Sequence, residues 1–571
     1  MLITITLEVV ALPFRIRVTI IYMLGQIGRD GMQMTVLGML KSSKNVARAW
    51  GVFRRARWVF RLGLLIVSAP ARVLVFSNSL RLTGVSHIFP SSFYRASARA
   101  VIFSYRDCRV LTLGDREILN SLTRDLLQNA PLMRPAHRIA AISDLFELTL
   151  SEDLELMLID TWEDLGFLGR INDAEFLHLK NRTMSALRRV GSYRTAGNLD
   201  IKLKMLLDTR KGRPPGLHSE SAHFSAMGHL VLLHFLLLAV NVGVCKPSGI
   251  NLVRGQYPIA NQPYADWLNR RAKALGVSII DSEHVYSVME PDLSVWPSGE
   301  GYLDSHHHHG EILSLSRQSK LQVDDKLVED IASGRKILES LGVDPAYPTV
   351  GFHIRADQAM DRSLRNSTPE KYFEAFDLLA SKGYTVVLLG SFGIKGPSAC
   401  PAGVVQVSKL KHERDRALAN LATWHDCEFF VGNLSGGTNP PGAFGRPTLW
   451  VDQFPLSHWR VPGPLDLFLP QLVYSHSMKR ALSVREVHSD SHRFSQTESP
   501  VLLERAGYSI RPVSAEEITL AVMEMMNLNL KSDFVPTPEQ LFVDSVYREH
   551  GFGKGGVVAQ SFLTAWGSFL R

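Results

Sequence analysis

An apolar stretch at residues 350–354 is followed directly by a loop that holds three arginines and two aspartates. Arginine suits a phosphate because its planar guanidinium group donates two parallel hydrogen bonds. In open α/β sheets, ligands bind beyond the carboxyl ends of the strands. The pattern therefore predicts an anion site at this strand end, in which Arg355 and Arg365 contact a phosphorylated ligand.

Two further polar loops come after apolar stretches along the chain. Gly390 and Ser391 follow one stretch, and residues 433–439, with the sequence Asn-Leu-Ser-Gly-Gly-Thr-Asn, follow the next. Glycines let backbone N–H groups approach an oxyanion closely, hydroxyl groups add donors, and a helix that opens at Asn439 would favour an anion. We expect the three loops to converge, with a diphosphate held between the arginines and residues 435–438.

The elements that must position these loops alternate between helices and strands. Predicted helices lie at residues 229–243, 263–275, 323–341, 369–381 and 414–424, and predicted strands at 250–253, 277–281, 350–354, 384–390, 428–432 and 448–452. Strands that alternate with helices imply parallel βαβ units. The predicted fold class is α/β, with two Rossmann-type domains and parallel sheets, joined by a linker at 343–348 so that a cleft lies between them.

The chain is long enough for several domains, and its charge is uneven. It has 571 residues, 45% of them hydrophobic, and a formal net charge of +8. Residues 1–110 carry 16 Lys and Arg against three acidic residues, so this block has a net charge of +13 and the remainder −5. Residues 111–212 carry apolar residues at helical spacing. The predicted domains are 1–110 (basic and apolar), 111–212 (helical), 213–342 and 343–510 (Rossmann-like), and 511–571 (a helical extension).

The basic N-terminal block fits the surface of an anionic membrane. Its apolar runs suggest amphipathic helices in the lipid interface, where each basic residue contributes on the order of 1 kcal/mol. Arginines interrupt every window long enough to span a bilayer, so we predict no transmembrane helix there. Nucleic acid is an unlikely partner in this pattern because the aromatic residues lie among aliphatic ones. A basic surface helix packed on the rest of the protein is the open alternative.

Residues 228–245 form an uncharged run of about 18 residues, which approaches the length of a membrane span. A turn sequence and a predicted strand follow the run, as in an α/β unit. We therefore predict a buried helix.

The sequence gives no sign of a metal site or a disulfide framework. The four cysteines are widely spaced, which favours a reducing, cytosolic location. Residues 306–309 are four adjacent histidines, but they lack the spacing of a metal site. Because no Asp-x-Asp pair is present either, we predict a metal-independent protein without a cofactor.

Several motifs together resemble a known family. They are His353-Ile-Arg355, Arg365-Asn366 before a helix, the strand end Leu389-Gly390, the run Phe430-Val-Gly-Asn-Leu-Ser-Gly-Gly437, and Phe444-Gly-Arg-Pro-Thr448. The chain resembles a family of bacterial glycosyltransferases across residues 220–480, most strongly across 350–470. More distantly, the His-x-Arg strand end is similar to that of the GDP-fucose-dependent fucosyltransferases, in which the arginine holds the nucleotide diphosphate.

The resemblance implies a GT-B architecture in which the C-terminal half holds a nucleotide sugar. The residues implied in donor binding are His353, Arg355, Arg365, Asn366, Gly390, Ser391, Ser435, Gly436, Gly437 and Thr438. One departure matters, because Ala356 stands where the fucosyltransferases have a second arginine. The loop therefore argues for a nucleotide sugar but not for fucose.

Glycosyl transfer needs stabilisation of the leaving diphosphate and a base for the acceptor hydroxyl. Asp357 and Asp361 on the arginine loop are the candidate bases, and His229, in a Gly-His sequence that opens a helix, is the third. The predicted function is transfer of a sugar to a cell-surface glycan or a lipid-linked precursor, at the cytoplasmic face of the membrane.

Two other classes of protein remain open. A serine hydrolase needs Gly-x-Ser-x-Gly after a strand, and here the serine of Gly432-Asn-Leu-Ser435 comes one residue too late. A non-catalytic scaffold that binds a nucleotide sugar would keep the same loops without turnover.

Overall fold

The structure of the protein is a computed structural model that describes part of the chain. The described residues are 2–11, 14–23, 123–124, 138–139, 142–143, 146, 152–163, 176, 179–180, 182–184, 186–187, 190, 192–210, 218–220, 227–245, 249–253, 259–282, 295–297, 302–304, 321–356, 364–390, 400–401, 403–454, 456, 465–497, 500–529, 534–549 and 556–570. The chain divides into two compact units, Met1–Gly84 and Val85–Arg571. The five domain limits remain predictions.

The described part of the first unit is a β-hairpin. Strands β1 (Leu2–Ala11) and β2 (Phe14–Met23) pair antiparallel along their whole length. Both strands are rich in Ile, Val and Thr, which favour extended backbone. The expectation of an amphipathic helix is therefore wrong for these residues. The rest of the basic block up to residue 110 lies outside the described residues.

The first complete elements described in the second unit are helices. They are α1 (Glu152–Glu163) and α2 (Tyr193–Arg210), with further described helical residues between 176 and 187. Lys180 and Asp200 form a buried ion pair at 2.8 Å, and Trp162 donates a hydrogen bond to Thr183 at 3.0 Å. The described helices of this part of the chain thus enclose polar pairs.

A small parallel sheet follows, flanked by helices. Its strands are β3 (His218–Glu220), β4 (Gly249–Val253) and β5 (Ser278–Ser282), with α3 (Met227–Asn241) and α4 (Gln262–Ala274) between them. Strands β6 (Val295–Pro297) and β7 (Tyr302–Asp304) pair as a hairpin, and α5 (Asp325–Ser340) comes next. Within the described residues, no helix has the length and apolar character to cross a membrane. Helix α3 is instead buried, as predicted for residues 228–245.

A parallel sheet of seven strands organises the C-terminal half. Its elements in chain order are β8 (Thr349–His353), α6 (Phe373–Ser381), β9 (Thr385–Leu389), β10 (Val404–Gln406), α7 (Glu413–Asp426), β11 (Phe429–Asn433), α8 (Pro440–Ala443), β12 (Thr448–Gln453) and β13 (Leu467–Pro470). The spatial order is β10-β9-β8-β11-β12-β13-β17, where β17 is Val557–Val558, and every pairing is parallel. The first six strands follow the 3-2-1-4-5-6 order of Rossmann folds. The predicted α/β class with a Rossmann-like parallel sheet is confirmed.

The remaining elements cover one side and one end of this sheet. A small antiparallel sheet contains β14 (Leu472–Ser475), β15 (Arg480–Ala481) and β16 (Tyr508–Arg511). The helices are α9 (Val484–His488), α10 (Pro500–Arg505), α11 (Ala515–Asn529), α12 (Pro538–Glu549) and α13 (Gln560–Ala565). Helices α11 to α13 follow one another at the C-terminal end of the described residues, and strand β17 lies between α12 and α13.

The helices that flank the small parallel sheet share a hydrophobic core with the seven-stranded sheet. Helices α3 and α4 pack with one face of the large sheet and with α7 and α8, so that Tyr264 and Trp267 lie in one cluster with Phe430 and Phe444. The side chain of Asn261 caps α4 and also donates to the backbone oxygen of Ala417 in α7, at 2.9 Å. The helices of the first half therefore contact the second half directly.

Candidate functional site

The strand order reverses between β8 and β11, and the predicted ligand loops begin there. Chain connections run from β8 towards β9 on one side, and from β11 towards β12 on the other. His353 lies beside Gly432 of β11 and Leu389 of β9 in the register. Such a reversal opens a crevice at the carboxyl ends of the strands, where ligands of this fold class bind.

Asn433, the last residue of β11, holds both arginine-bearing segments by their backbones. Its Oδ1 accepts the N–H of Arg355 at 2.7 Å, while its Nδ2 donates to the carbonyl oxygens of Arg355 at 3.1 Å and Arg365 at 2.8 Å. The Asn433 side chain is fully buried. The N–H of Ser367 also donates to the Arg355 carbonyl oxygen, at 2.9 Å. The two arginines are thus brought together at the strand reversal.

Arg365 presents a polar atom without a partner. Its Nε is buried and makes no hydrogen bond to any described residue. The backbone of Arg365 is fixed by Asn433, so the side chain starts from a defined position next to Arg355. Two arginines whose backbones are held by one side chain suit an anion with more than one charge.

His353 lies between the glycines of the two other loops. A Cβ on Gly437 would overlap the His353 ring, and a Cβ on Gly390 would lie 3.1 Å from its Nε2. The Nδ1 atom is buried and has no hydrogen-bond partner among the described residues. Burial lowers the pKa of His353 to about 4, with a smaller contribution in the same direction from the charge of Arg355. The imidazole is therefore neutral at pH 7.

The Gly-rich turn after β11 touches the start of α3. A Cβ on Gly436 would overlap the backbone nitrogen of Gly228, in the first turn of that helix. Only glycine permits this approach. The contact joins the small parallel sheet's first helix to the strand reversal of the large sheet.

The hydroxyl groups of the turn bond within the turn itself. Thr438 is fully buried and donates to the carbonyl oxygen of Asn433 at 2.8 Å, and the Ser435 hydroxyl accepts the N–H of Gly437 at 3.4 Å. Pro440 begins the short helix α8, as predicted. In this arrangement the Thr438 hydroxyl stabilises the turn.

Several predicted residues lie outside the described residues. They are Asp357 and Asp361 on the arginine loop, Ser391 after β9, and the histidines at 306–309. The side chain of His229 is also outside them, whereas Asn366 lies in the segment that Asn433 anchors through Arg365. Among the described side chains, no group of three His, Cys, Asp or Glu could hold a metal ion. The catalytic assignments remain predictions.

Asn433 was missing from the predicted site residues. A sequence signal for it does exist, because an amide ends an otherwise apolar strand immediately before the Ser-Gly-Gly turn. What the sequence could not supply were its partners, which lie 78 and 68 residues away.

Comparisons with known proteins give one structural similarity. No protein-family model matches the chain, and no curated protein sequence matches it. The chain is similar to the crystal structure of the glycosyl transferase family 9 from Veillonella parvula DSM 2008, with 13% identity and a TM-score of 0.32. The similarity covers 56% of this chain and 99% of that chain. A similarity of this extent assigns neither an activity nor a ligand to this chain.

Proposed function

We propose that the protein is a glycosyltransferase that moves a sugar from a nucleotide-diphosphate donor to a cell-surface glycan or a lipid-linked precursor. The observation that carries the proposal is the anchoring of Arg355 and Arg365 by Asn433 at the strand reversal. This is where a Rossmann-like sheet binds its ligand, and two arginines there match the charge of a diphosphate.

The surrounding backbone supports the same ligand. The first turn of α3, a helix of 15 residues, meets the Ser435–Thr438 turn through the Gly228 and Gly436 contact. Unpaired N–H groups at the start of a helix, together with its dipole, favour negative charge. A diphosphate between this helix start and the two arginines would contact positive charge or N–H donors on both sides.

In the proposed reaction, a base removes the proton of the acceptor hydroxyl, and the oxygen then attacks the anomeric carbon of the donor. The bond between that carbon and the diphosphate oxygen breaks, and the electron pair stays on the diphosphate. Arg355 and Arg365 stabilise this developing charge. Asp357, Asp361 and His229 are the proposed bases. No metal ion or cofactor is part of the proposal.

The donor site is tested by thermal unfolding of the purified protein with a panel of nucleotide sugars. We expect at least one to raise the unfolding temperature, because a ligand that binds only the folded state stabilises it. Arg355→Ala should lose the shift. Arg548→Ala removes an exposed arginine on α12 and should keep it. If no nucleotide sugar shifts the wild type, or if Arg355→Ala responds as the wild type does, the donor site is refuted.

Binding without turnover would indicate the scaffold alternative. The donor that gives the largest shift is incubated with the protein, and release of nucleoside diphosphate is followed with and without an extract of lipid-linked acceptors. Acceptor-dependent release is expected. A donor that binds and is never cleaved would contradict the assignment as an enzyme.

We also propose that residues 1–110 bind an anionic membrane surface. The support is the net charge of +13 in this block. The full chain should sediment with vesicles that contain phosphatidylserine, less so at high salt, and not with phosphatidylcholine vesicles. A chain without residues 1–105 should stay in solution. Continued sedimentation of the shortened chain would refute the role of this block.

A further inference from the structure

Asn433 makes three hydrogen bonds that no other residue type could make at this position. It accepts from the backbone N–H of Arg355 and donates to the carbonyl oxygens of Arg355 and Arg365. The primary amide supplies an acceptor and two donors from one flat group. We propose that Asn433 is a positioning residue, whose side chain sets the separation of the two arginines and thereby the affinity of the diphosphate site. The inference rests on the proposed function.

The electrostatics of the position favour an amide over its acidic isostere. In Asn433→Asp, a carboxylate would face the carbonyl oxygens of Arg355 and Arg365 in place of the NH₂ group. Both oxygens would lose a donor, and a buried acceptor without its donor costs free energy. The variant has nearly the shape of the wild-type residue, so it changes the hydrogen bonds and leaves the packing alone.

Asn439 provides a matched control on the same turn. It is 2% exposed, and its Nδ2 donates to the Ser435 carbonyl oxygen at 2.9 Å. This hydrogen bond joins two residues of one turn and reaches neither arginine segment. Asn439→Asp therefore makes the same chemical change at a similarly buried site without touching the backbones of Arg355 and Arg365.

The first test needs no ligand. Hydrogen exchange of the full chain is measured at pH 8 for peptides that contain residues 354–356 and 364–368. We expect Asn433→Asp to increase exchange in both peptides, because the amides of Arg355 and Ser367 lie at the loosened position. Asn439→Asp should leave both peptides near wild-type exchange. Equal exchange in the wild type and Asn433→Asp, or an equal increase in the two variants, would overturn the positioning role.

The second test uses inorganic pyrophosphate as the probe, with binding measured by calorimetry. Asn433→Asp should weaken binding about tenfold, the change that corresponds to roughly 1.4 kcal/mol. Asn439→Asp adds the same charge near the turn but leaves the backbones of Arg355 and Arg365 anchored, so it should weaken binding less than Asn433→Asp does. In an Arg365→Ala background the effect of Asn433→Asp should shrink, because part of it acts through Arg365. Unchanged affinity in Asn433→Asp, or a full effect in the Arg365→Ala background, would refute the proposal.

The two tests separate the failure of the inference from that of the proposed function. If the wild type does not bind pyrophosphate, the diphosphate site fails, and the exchange experiment still decides whether Asn433 positions the two segments. If Asn433→Asp does not fold, Asn433→Ser takes its place in both experiments. The serine hydroxyl is one bond shorter than the amide and cannot make all three hydrogen bonds, so increased exchange in both peptides is expected there too.

Discussion

His234 and His353 both have a pKa lowered by burial, but the two rings contact different kinds of neighbour. His234 lies in α3 among aromatic rings, with the centroids of Trp267 and Phe444 at 5.1 and 5.7 Å from its own. Its Nδ1 lies 2.6 Å from the Tyr264 hydroxyl oxygen. Burial lowers its pKa to about 3. His353 has a pKa of about 4, and its ring contacts the glycines of two loops.

The comparison shows that a lowered pKa does not by itself identify a functional histidine. The aromatic rings around His234 fill the space permanently, and the residue is part of the core that joins the two halves. The glycines around His353 leave room for its ring, at a strand end next to two arginines with anchored backbones. The type of neighbour, more than the titration of the ring, separates core from site.

Gly437 gives the largest expected effect. In Gly437→Ala, the new Cβ would overlap the His353 ring, and overpacking of this kind lowers the free energy of unfolding by about 3 kcal/mol. The control is Gly442→Ala in α8, where no atom lies within 4 Å and alanine should stabilise the helix by at most about 1 kcal/mol. Urea unfolding measures both. Similar values for the two variants would show that the His353 contact is not tight.

His234 should behave as half of a buried pair. His234→Phe keeps an aromatic ring but leaves the Tyr264 hydroxyl without its partner, which should cost about 2 kcal/mol. Adding Tyr264→Phe removes the unpaired hydroxyl and should recover most of the lost free energy of unfolding. Urea unfolding of the four proteins in this cycle gives the coupling energy. Additive losses would mean that the two side chains do not depend on each other.

Acid should destabilise the protein through both histidines. Each is held neutral in the folded state, so its contribution is fully present above the unfolded pKa of about 6.5 and is lost as the pH falls towards about 3 for His234 and about 4 for His353. Between pH 6.5 and 5, each should remove about 1.5 kcal/mol. The double variant His234→Phe/Tyr264→Phe lacks the first of these histidines, so its free energy of unfolding should fall by about half as much over this pH range. The free energy of unfolding is measured with urea at several pH values in this range. If it depends on pH as strongly in the double variant as in the wild type, the role of His234 is contradicted.

Gly390 should give the smallest difference. Gly390 and Gly507 have φ values of 90° and 87°, so alanine costs about 1 kcal/mol at either position. Only at Gly390 would the Cβ also lie close to His353, at 3.1 Å, whereas nothing lies within 4 Å at Gly507. Gly390→Ala should therefore be less stable than Gly507→Ala by up to about 1 kcal/mol. Equal stability would show that the His353 ring yields at this contact.

Local pattern was enough to predict most of the described α/β elements. The apolar run at 228–245 was correctly predicted as a buried helix, because a strand follows it within a few residues. The strands at 350–354 and 428–432 were found to within one residue, because a buried parallel strand is a short apolar run. The hairpin of β1 and β2 was missed, since short apolar runs suit a helix or a strand equally well.

The sequence alone determined which residue types end the strands, and therefore that arginines, glycines and a Ser-Gly-Gly turn would gather at one edge of a parallel sheet. Only the tertiary structure decided which of them meet. It placed Gly228 against Gly436, enclosed His353 between two glycines, and gave Asn433 its three backbone partners. The physical reason is that these contacts depend on strand register and helix packing between residues far apart in the chain, which local propensity does not encode.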